Sequence, residues 1–514
     1  MSIFNASDRR FAECLSRLAF CNPFLPERIA LEREALGEEF VDRDLVWSLR
    51  DDAPIETPNV LALGRRAETA ARRGRDALTK GARPASEAER RIYGDLVLYL
   101  LYNRYEARFF TLLAAPAGEA RIRAPFYGDF CRDMESFLAL PSLRFPDLDD
   151  LPHLFACFFQ IRRAFQHIFF DLIGGSLPAA RLRAAIWQSI FTHDMRRYRR
   201  SLFARMGDVT TLICGPSGTG KELVARAIGF SRYIPFDPRD GAFADDFAAS
   251  FHALNLSALS PTLIESELFG HRRGAFTGAI ADRAGWLEVC RPLGTVFLDE
   301  IGDVDPAIQV KLLRVLQTRA FQRIGDTASR RFEGKIVAAT NRDLARAMRE
   351  GRIREDFYYR LCADQLVTPS LREQLEASPG ELRQILLFIA RRLAGDEAEA
   401  VAAEAEAWIG TGLGRGYPWP GNVRELEQCV SNVLIRKAYS PARVAPSDPR
   451  EALARGAAEG TLTADDLLRR YCTLVYAQAG GWQEAARRLG VDHRTVRSRV
   501  DLKLLEEYRG KERA

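Results

Sequence analysis

Apolar residues repeat at the spacing of a helix through much of the first 185 positions. The repeat is clearest in three stretches, residues 11–18, 87–104 and 151–173. A polar cap for the first stretch is expected at Ser7 or Asp8. Alternation of the strand type is scarce there. We therefore predict a mostly helical N-terminal domain over residues 1–185.

The middle of the chain carries three short apolar runs of strand length, each followed by polar residues. The runs are Thr211–Cys214 before a glycine-rich loop, Gly294–Leu298 before Asp299 and Glu300, and Lys335–Thr340 before Asn341. A helical pattern follows the glycine-rich loop. This order predicts an α/β domain over residues 186–440, and open α/β sheets bind ligands at the carboxyl ends of their strands.

The glycine-rich loop has the composition of a phosphate-binding loop. It reads Gly215-Pro216-Ser217-Gly218-Thr219-Gly220-Lys221-Glu222. Glycines let successive backbone N–H groups face phosphates, the next helix adds positive charge at its N-terminus, and Lys221 suits the β and γ phosphates of ATP. Such loops commonly place Ser or Thr after the lysine as a Mg²⁺ ligand. Glu222 stands there instead, so other groups and water are expected to hold the metal.

Two carboxylates and an amide complete the expected nucleotide chemistry. Asp299 is predicted to coordinate Mg²⁺, and Glu300 to polarise the attacking water. Asn341 suits detection of the γ phosphate through a hydrogen bond. An Asp-Glu pair after a strand is also common on solvated turns, but the phosphate loop upstream favours the catalytic interpretation.

Two arginines further along, Arg354 and Arg360, are placed to reach the nucleotide of a neighbouring subunit. An arginine in trans neutralises charge on the transferred phosphoryl group, which makes hydrolysis depend on assembly. In a chain with 74 lysines and arginines, a solvated surface role is the plain alternative.

Between the two nucleotide motifs lies the run Gly274-Ala275-Phe276-Thr277-Gly278-Ala279. Its glycines permit backbone conformations closed to other residues, Thr277 offers a hydroxyl, and Phe276 would be costly to leave in water without a partner. A surface hairpin is the alternative. The placement of the run favours a loop with which an ATPase pushes on a partner.

Helical spacing returns near the C-terminus, over residues 467–479, and Gly480 and Gly481 then provide a stop. A short helix from Gln483 to Leu489, a turn at Gly490 and a second helix capped by Asp492 predict a helix-turn-helix.

In the second of these helices, which is predicted to run through Val500, Val496 and Val500 are expected to face inward. The outward residues suit base edges and phosphates in the major groove of double-stranded DNA, and they are His493, Arg494, Thr495, Arg497, Ser498 and Arg499. A solvated basic helix that closes the ATPase lid is the alternative. We predict an all-α DNA-binding domain over residues 461–514, after a flexible, proline-containing linker over residues 441–460.

Across about residues 205–514, these motifs resemble those of bacterial sigma-54-dependent transcriptional activators, enhancer-binding proteins of the AAA+ ATPase superfamily. The resemblance implies an AAA+ domain with a helical lid, and a Fis-type helix-turn-helix whose preceding helix pairs two subunits. It implies binding to DNA upstream of promoters, a homo-oligomeric ring expected to be hexameric, and contact between Thr277 and sigma-54 RNA polymerase.

The resemblance also implies roles for individual residues of the nucleotide site. Residues 215–222 would bind ATP, and Glu222 is similar to the family's own pattern. The further roles are Asn255 as a relay of the nucleotide state beside Glu300, Asn341 as first sensor, Arg354 and Arg360 as trans-acting fingers, and Arg424 as lid sensor.

Two segments depart from the family's pattern. The connection between Phe230 and Phe251 is longer than usual, and Thr368-Pro369-Ser370 stands where a Pro-Pro-Leu-Arg run is usual. We expect neither segment to touch a phosphate motif. We expect ATPase chemistry to survive these departures and subunit packing to be affected.

Composition agrees with this layout. A chain of 514 residues with 47% hydrophobic content has room for about three packed domains. The net charge of +5 permits nucleic-acid binding without demanding it. Nine cysteines without regular spacing suit a reducing cytoplasm. The residues 151–175 are broken by charged side chains, so we predict a buried or amphipathic helix and no membrane span.

The N-terminal domain has no recognisable signal-receiving motif. A receiver domain would need acidic residues after an early strand, and Asp51 and Asp52 lack that context. We expect either a helical domain that binds a protein partner or small molecule, or a packing and oligomerisation domain. The basic run 196–200 is expected to be a solvated helix face or a coupling linker.

Two classes of function remain open on the sequence alone. The favoured one is a transcription activator that hydrolyses ATP to remodel sigma-54 polymerase. The alternative is a DNA-binding repressor or scaffold that uses ATP only as an assembly switch.

Overall fold

The chain divides into two compact units, Met1–Ala438 and Tyr439–Ala514. The computed structural model describes residues 3–42, 58–113, 121–140, 145–245, 251–414, 416–441, 449–458, 460–502, 504–505 and 508. Asp51 and Asp52 lie outside these residues.

A five-stranded parallel sheet lies at the centre of the first unit. In chain order the strands are β1 (Thr211–Cys214), β2 (Phe236–Asp237), β3 (Ala242–Phe243), β4 (Phe251–Asn255), β5 (Thr295–Asp299), β6 (Ala320–Phe321), β7 (Arg330–Arg331), β8 (Lys335–Thr340) and β9 (Asp364–Val367). The central sheet has the order β4-β5-β8-β1-β9. Strand β8 is buried at every position, as expected for a parallel strand covered on both faces. The three predicted strands are confirmed.

Helices cover both faces of this sheet and build the N-terminal part. The N-terminal helices are α1 (Ala6–Leu18), α2 (Pro26–Leu36), α3 (Pro58–Thr79), α4 (Glu87–Leu113), α5 (Tyr127–Leu138), α6 (Leu151–Phe165), α7 (Leu177–Phe191) and α8 (Met195–Arg197), with π-helical turns at Gln166–Phe170 and Tyr198–Leu202. Helix α1 is capped by Asn5, whose side chain accepts from the Asp8 N–H at 2.7 Å. The cap predicted at Ser7 or Asp8 was therefore wrong by two or more positions, because both residues lie inside the helix.

The helices that follow β1 are α9 (Lys221–Phe230), α10 (Pro261–Phe269), α11 (Trp286–Val289), α12 (Pro306–Thr318), α13 (Leu344–Arg349) and α14 (Glu355–Leu361). After β9 come α15 (Leu371–Ala377), α16 (Glu381–Ala394), α17 (Ala398–Gly412) and α18 (Asn422–Arg436), which we call the lid helices.

The long connection between Phe230 and Phe251 contains the hairpin β2–β3, and this hairpin packs into the N-terminal core. Phe243 is fully buried, and its ring centroid lies 4.3 Å from that of Phe159 in α6. The Phe243 N–H donates to the Ile122 carbonyl at 2.9 Å. The extra length of this segment thus joins the N-terminal helices to the sheet domain.

No break in the chain marks the boundary predicted at residue 185, which falls inside α7. Side chains of α7 reach the sheet, since the Ser189 hydroxyl donates to Asp364 of β9 at 2.5 Å. Arg196, in the basic run, donates to the buried carboxylate of Asp95 in α4 at 2.6 Å. Two roles were expected for that run, a solvated helix face or a coupling linker, and this contact with the N-terminal helices favours the linker.

The second unit contains α19 (Pro449–Ala458), α20 (Ala464–Ala479), α21 (Trp482–Leu489) and α22 (His493–Arg499). Much of the linker predicted over residues 441–460 is therefore helix, and its residues 442–448 lie outside the described ranges. Val475, Ala485, Ala486 and Val496 form the core of this unit, with Val500 packed against it.

All nine cysteines lie in the described ranges and are free thiols. In the part of the chain that the structure describes, we find no helix long and apolar enough to cross a membrane.

Replacing Phe243 by Ala should lower the free energy of unfolding by about 3–5 kcal/mol, because it removes a buried ring from the junction of hairpin and N-terminal core. Denaturant unfolding monitored by circular dichroism measures this change. Arg239→Ala, at the exposed tip of the same hairpin, serves as control and should change the value by less than about 0.5 kcal/mol. Equal effects of the two variants would show that the hairpin is not part of the core.

Candidate functional site

The glycine-rich loop lies at the carboxyl edge of the sheet, between the end of β1 and the start of α9. Three of its residues have positive φ, Gly215 at 150°, Gly218 at 78° and Gly220 at 85°. These angles are readily adopted only by glycine, and they turn the loop around its own backbone N–H groups. The strand, loop and helix order predicted from the sequence is confirmed.

Lys221 is the first residue of α9, and its side chain folds back over the loop. Its ammonium donates to the carbonyls of Gly215 at 3.0 Å and Pro216 at 3.1 Å. The next residue, Glu222, is paired with Arg226 one turn later at 2.7 Å. Lys221 thus supplies positive charge at the loop, while the Glu222 charge is partly neutralised.

The lid helix α18 begins against the same loop. The Val423 N–H donates to the Gly218 carbonyl at 3.1 Å, and the Asn422 amide donates to the Ser217 carbonyl at 2.9 Å. Arg424, the predicted lid sensor, lies with its guanidinium 3.4 Å from the Ser217 hydroxyl. Sequence reasoning missed Asn422, although it stands in the same short run as Arg424.

Thr368 corrects one expectation. Its hydroxyl lies 2.6 Å from that of Thr219 in the glycine-rich loop, and its own N–H donates to the Cys214 carbonyl at 2.9 Å. A Cβ added at Gly215 would lie 2.1 Å from the Thr368 hydroxyl oxygen. The departure at residues 368–370 therefore does touch the phosphate motif, because β9 lies beside β1 in the sheet.

Asp299 and Glu300 end the strand β5 at this edge. Burial raises the pKa of Asp299, while the Glu300 N–H and the nearby charge of Lys221 act in the opposite direction. Glu300 has φ of 55°, an unusual conformation for a residue with a side chain. Its carboxylate accepts from the Asn341 N–H at 3.3 Å. The structure brings the two carboxylates and Asn341 together as predicted.

Asn255 lies opposite Asp299 in the register of β4 and β5. Its amide oxygen accepts from the Ser257 N–H at 3.0 Å and the Ser257 hydroxyl at 2.8 Å. The hydrogen bond that the Glu300 carboxylate makes in this structure is to Asn341. Asn255 is thus at the expected place on the edge, but its role as a relay to Glu300 stays a prediction.

The run from Gly274 to Ala279 forms the tip of a loop whose base is pinned by backbone pairing. His271 and Arg283 exchange two hydrogen bonds, at 3.0 and 2.9 Å. Phe276 is half-buried, with its ring 5.0 Å from that of His271, whereas Thr277 is exposed. The Phe276 ring is therefore partly shielded from water by packing against His271 of the same loop.

We compared the chain with known protein families to find the kind of domain in which this loop and this site lie. Residues 191–367 match the family model described as the sigma-54 interaction domain. These residues form a sigma-54 interaction domain.

Relatives of this domain are transcriptional regulators. The chain is 38% identical over 304 residues to the Nif-specific regulatory protein of Klebsiella pneumoniae, a match that covers 57% of this chain and 54% of that protein. It is 38% identical over 299 residues to the transcriptional regulatory protein ZraR of Klebsiella oxytoca, covering 57% of this chain and 63% of that one. The chain thus spans only about half to two thirds of the length of these relatives.

A solved structure of NtrX from Brucella abortus in complex with ATP aligns with 70% of this chain and 75% of its own, at 22% identity and a TM-score of 0.39. A TM-score below 0.5 does not establish a common overall arrangement.

The two predicted fingers of the sigma-54 interaction domain differ in their surroundings. Arg354 is paired with Asp356 through two contacts, at 3.0 and 2.9 Å. Arg360 is exposed and has no ion pair or hydrogen bond from its side chain within the described residues. Of the two predicted fingers, Arg360 can therefore reach a neighbouring molecule without first losing a partner among the described residues.

In the second unit, α21, Gly490 and α22 have the order predicted for a helix-turn-helix. Asp492 caps α22 by accepting from the Arg494 N–H at 2.8 Å, and Val496 is fully buried. The predicted outward residues His493, Arg494, Thr495, Arg497 and Ser498 are exposed. Arg499 is a partial exception, because it is less exposed and pairs with Asp465 of α20.

Replacing Gly218 by Ala should weaken nucleotide binding to the sigma-54 interaction domain about tenfold or more, because the new Cβ would strain a residue at positive φ. It would also lie 2.3 Å from the Gly421 carbonyl oxygen and push the lid helix from the loop. Titration with a fluorescent ATP analogue measures this. Gly380→Ala, where a Cβ meets no atom within 4 Å, is the control. Unchanged affinity in Gly218→Ala would contradict the seating of α18 on the loop.

Proposed function

We propose that this protein is a transcription activator that hydrolyses ATP to remodel sigma-54 RNA polymerase for open-complex formation. One observation carries the proposal: an exposed Thr277 on a pinned loop lies, in sequence, between the phosphate loop and the carboxylate pair of a sigma-54 interaction domain. In this proposal the loop changes position with the state of the nucleotide, and a partner bound to the loop is moved.

The residues at the sheet edge fit ATP and Mg²⁺. Lys221 and the N-terminus of α9 suit the phosphates, and the carboxylate of Asp299 suits a hard cation that keeps several waters. Bound Mg²⁺ would neutralise charge that develops on the phosphates. Glu300, held at positive φ with its carboxylate beside Asn341, would orient water for attack. Asn341 would report the γ phosphate and Arg424 would report the closure of the lid.

The proposed function also includes assembly of several subunits into a ring, in which two arginines act between neighbouring subunits. Arg360, with Arg354 as a second contributor, would complete the site of an adjacent subunit in a ring, which we expect from the family resemblance to be hexameric. The second unit would bind double-stranded DNA upstream of promoters through α22, with α20 pairing two subunits. The N-terminal helices would receive the signal, either from a protein partner or from a small molecule.

The alternative is a DNA-binding repressor or scaffold in which ATP serves only for assembly. That function would need the nucleotide site but would not need Thr277.

Thr277→Ala should abolish sigma-54-dependent open-complex formation while ATP hydrolysis stays within about twofold of the unsubstituted protein, because Thr277 lies outside the nucleotide site. Promoter opening is measured by permanganate footprinting, and hydrolysis by phosphate release. Thr411→Ala, exposed on α17, is the control and should keep both activities. If Thr277→Ala regulates normally, the scaffold function is favoured.

Mixtures of two inactive variants test the finger in trans. Glu300→Gln keeps Arg360 but lacks the carboxylate, and Arg360→Ala keeps the carboxylate but lacks the finger. Each alone should hydrolyse ATP at below about a hundredth of the normal rate, and an equal mixture should recover up to about a quarter of it. A mixture as inactive as its components would mean that Arg360 does not act on a neighbouring subunit.

A further inference from the structure

Helix α6 of the N-terminal part forms hydrogen bonds with the C-terminal end of α9, the helix that follows the phosphate loop. Arg163 of α6 is fully buried. Its guanidinium donates to the Phe230 carbonyl at 2.7 Å and the Arg232 carbonyl at 2.5 Å. Gln160, one turn earlier, donates to the Ser231 carbonyl at 2.9 Å. Three successive carbonyls at the C-terminal end of α9 are thus held by two side chains of α6.

The Phe230 carbonyl is among those that a helix end leaves without intrahelical donors, and the carbonyls of Ser231 and Arg232 follow directly after it. A cation there also interacts favourably with the helix dipole. Arg163 is wholly removed from water, so separating it from the carbonyls of Phe230 and Arg232 would leave a buried guanidinium without these acceptors, which is unfavourable. The contact therefore strongly resists separation of α6 from α9.

Helix α9 is short and continuous, with Lys221 at its first position and Phe230 at its last. Ten residues of α-helix span about 15 Å and move as one rigid rod. A displacement of its C-terminal end is therefore passed to Lys221 and to the start of the phosphate loop.

The hairpin β2–β3 keeps α6 in place against the sheet domain. Phe236 and Phe243 pack on Phe155 of α6, with ring centroids 4.8 and 5.9 Å away. The connection that contains the hairpin begins after Phe230, the last residue of α9, and ends at Phe251, the first residue of β4, whose ring centroid lies 5.5 Å from that of Phe230. A truncation that removes α6 would expose these rings, and the coupling must be tested in the full chain.

We infer that Arg163 is a positioning residue through which the N-terminal helices set the nucleotide affinity of the ATPase site. The inference rests on the proposed ATP-dependent function and adds a route for its regulation. A ligand or partner that moves α6 would loosen or tighten the end of α9. By linkage, nucleotide binding must change the affinity for that ligand or partner by the same factor.

The test compares Arg163→Met with Arg162→Met in the full-length protein. Arg162 is also buried in α6, but its contacts are with Glu106, Phe110 and Phe170 of the N-terminal part. Arg163→Met should raise the Kd and the KM for ATP about fivefold or more, with a smaller change in kcat. Arg162→Met should leave both constants unchanged, even where thermal unfolding shows that it is equally destabilised.

Amide hydrogen exchange distinguishes a positioning role of Arg163 from a purely structural one, because a purely structural role would not change the effect of ATP on α6. ATP should slow amide exchange in α6 of the unsubstituted protein and of Arg162→Met, and this effect should be lost in Arg163→Met. If Arg163→Met does not fold, Gln160→Met carries the test, with a Kd for ATP raised about twofold or more.

The outcomes separate the inference from the function on which it rests. Unsubstituted protein that neither binds nor hydrolyses ATP would overturn the proposed function. An active unsubstituted protein together with a folded Arg163→Met or, failing that, Gln160→Met of unchanged Kd and unchanged exchange would overturn the inference alone.

Discussion

The structure of this protein depends on how the short helix α9 is held at its two ends. At one end Lys221 folds over the glycine-rich loop and donates to its carbonyls. At the other end Arg163 of α6 donates to the carbonyl of Phe230, the last residue of the helix, and to that of Arg232 just beyond it. If α9 moved without the glycine-rich loop and α6, the hydrogen bonds that Lys221 and Arg163 donate to these carbonyls would be lost, which is unfavourable. The candidate nucleotide site and the N-terminal helices are therefore parts of one packed body, and the signal that we propose for these helices would have a short physical route to the site.

The same edge of the sheet gathers chemistry from distant parts of the chain. Parallel strands end together, so Asp299, Asn341 and the glycine-rich loop become neighbours once the strands pair in the observed order. Thr368 and the start of α18 close the loop from the other side. The tight approach of Gly218 to Gly421 leaves no space for a side chain. The lid helix α18 and the glycine-rich loop must consequently move with each other.

Residue type and spacing along the sequence predicted those elements whose conformation depends on residues close together in the chain. Buried strands, the glycine-rich loop, the cap at Asp492 and the turn at Gly490 follow from spacing and residue type within a few positions. The contacts between distant segments did not follow. The hairpin β2–β3 was recognised only as extra length, Thr368 only as a departure, and Asn422 and the pairing of Arg499 with Asp465 were missed. Each depends on which surfaces meet in the folded chain, and periodicity carries no information about that.

We propose that this protein uses ATP hydrolysis to open promoters bound by sigma-54 polymerase. The most direct measurement is open-complex formation by the purified full-length protein, with ATP compared with a non-hydrolysable analogue on one sigma-54 promoter. We expect open complexes with ATP and none with the analogue, because the proposed function couples remodelling of the polymerase to hydrolysis of ATP and not to nucleotide binding alone. Equal opening with both nucleotides, or ATP hydrolysis without any opening, would contradict it.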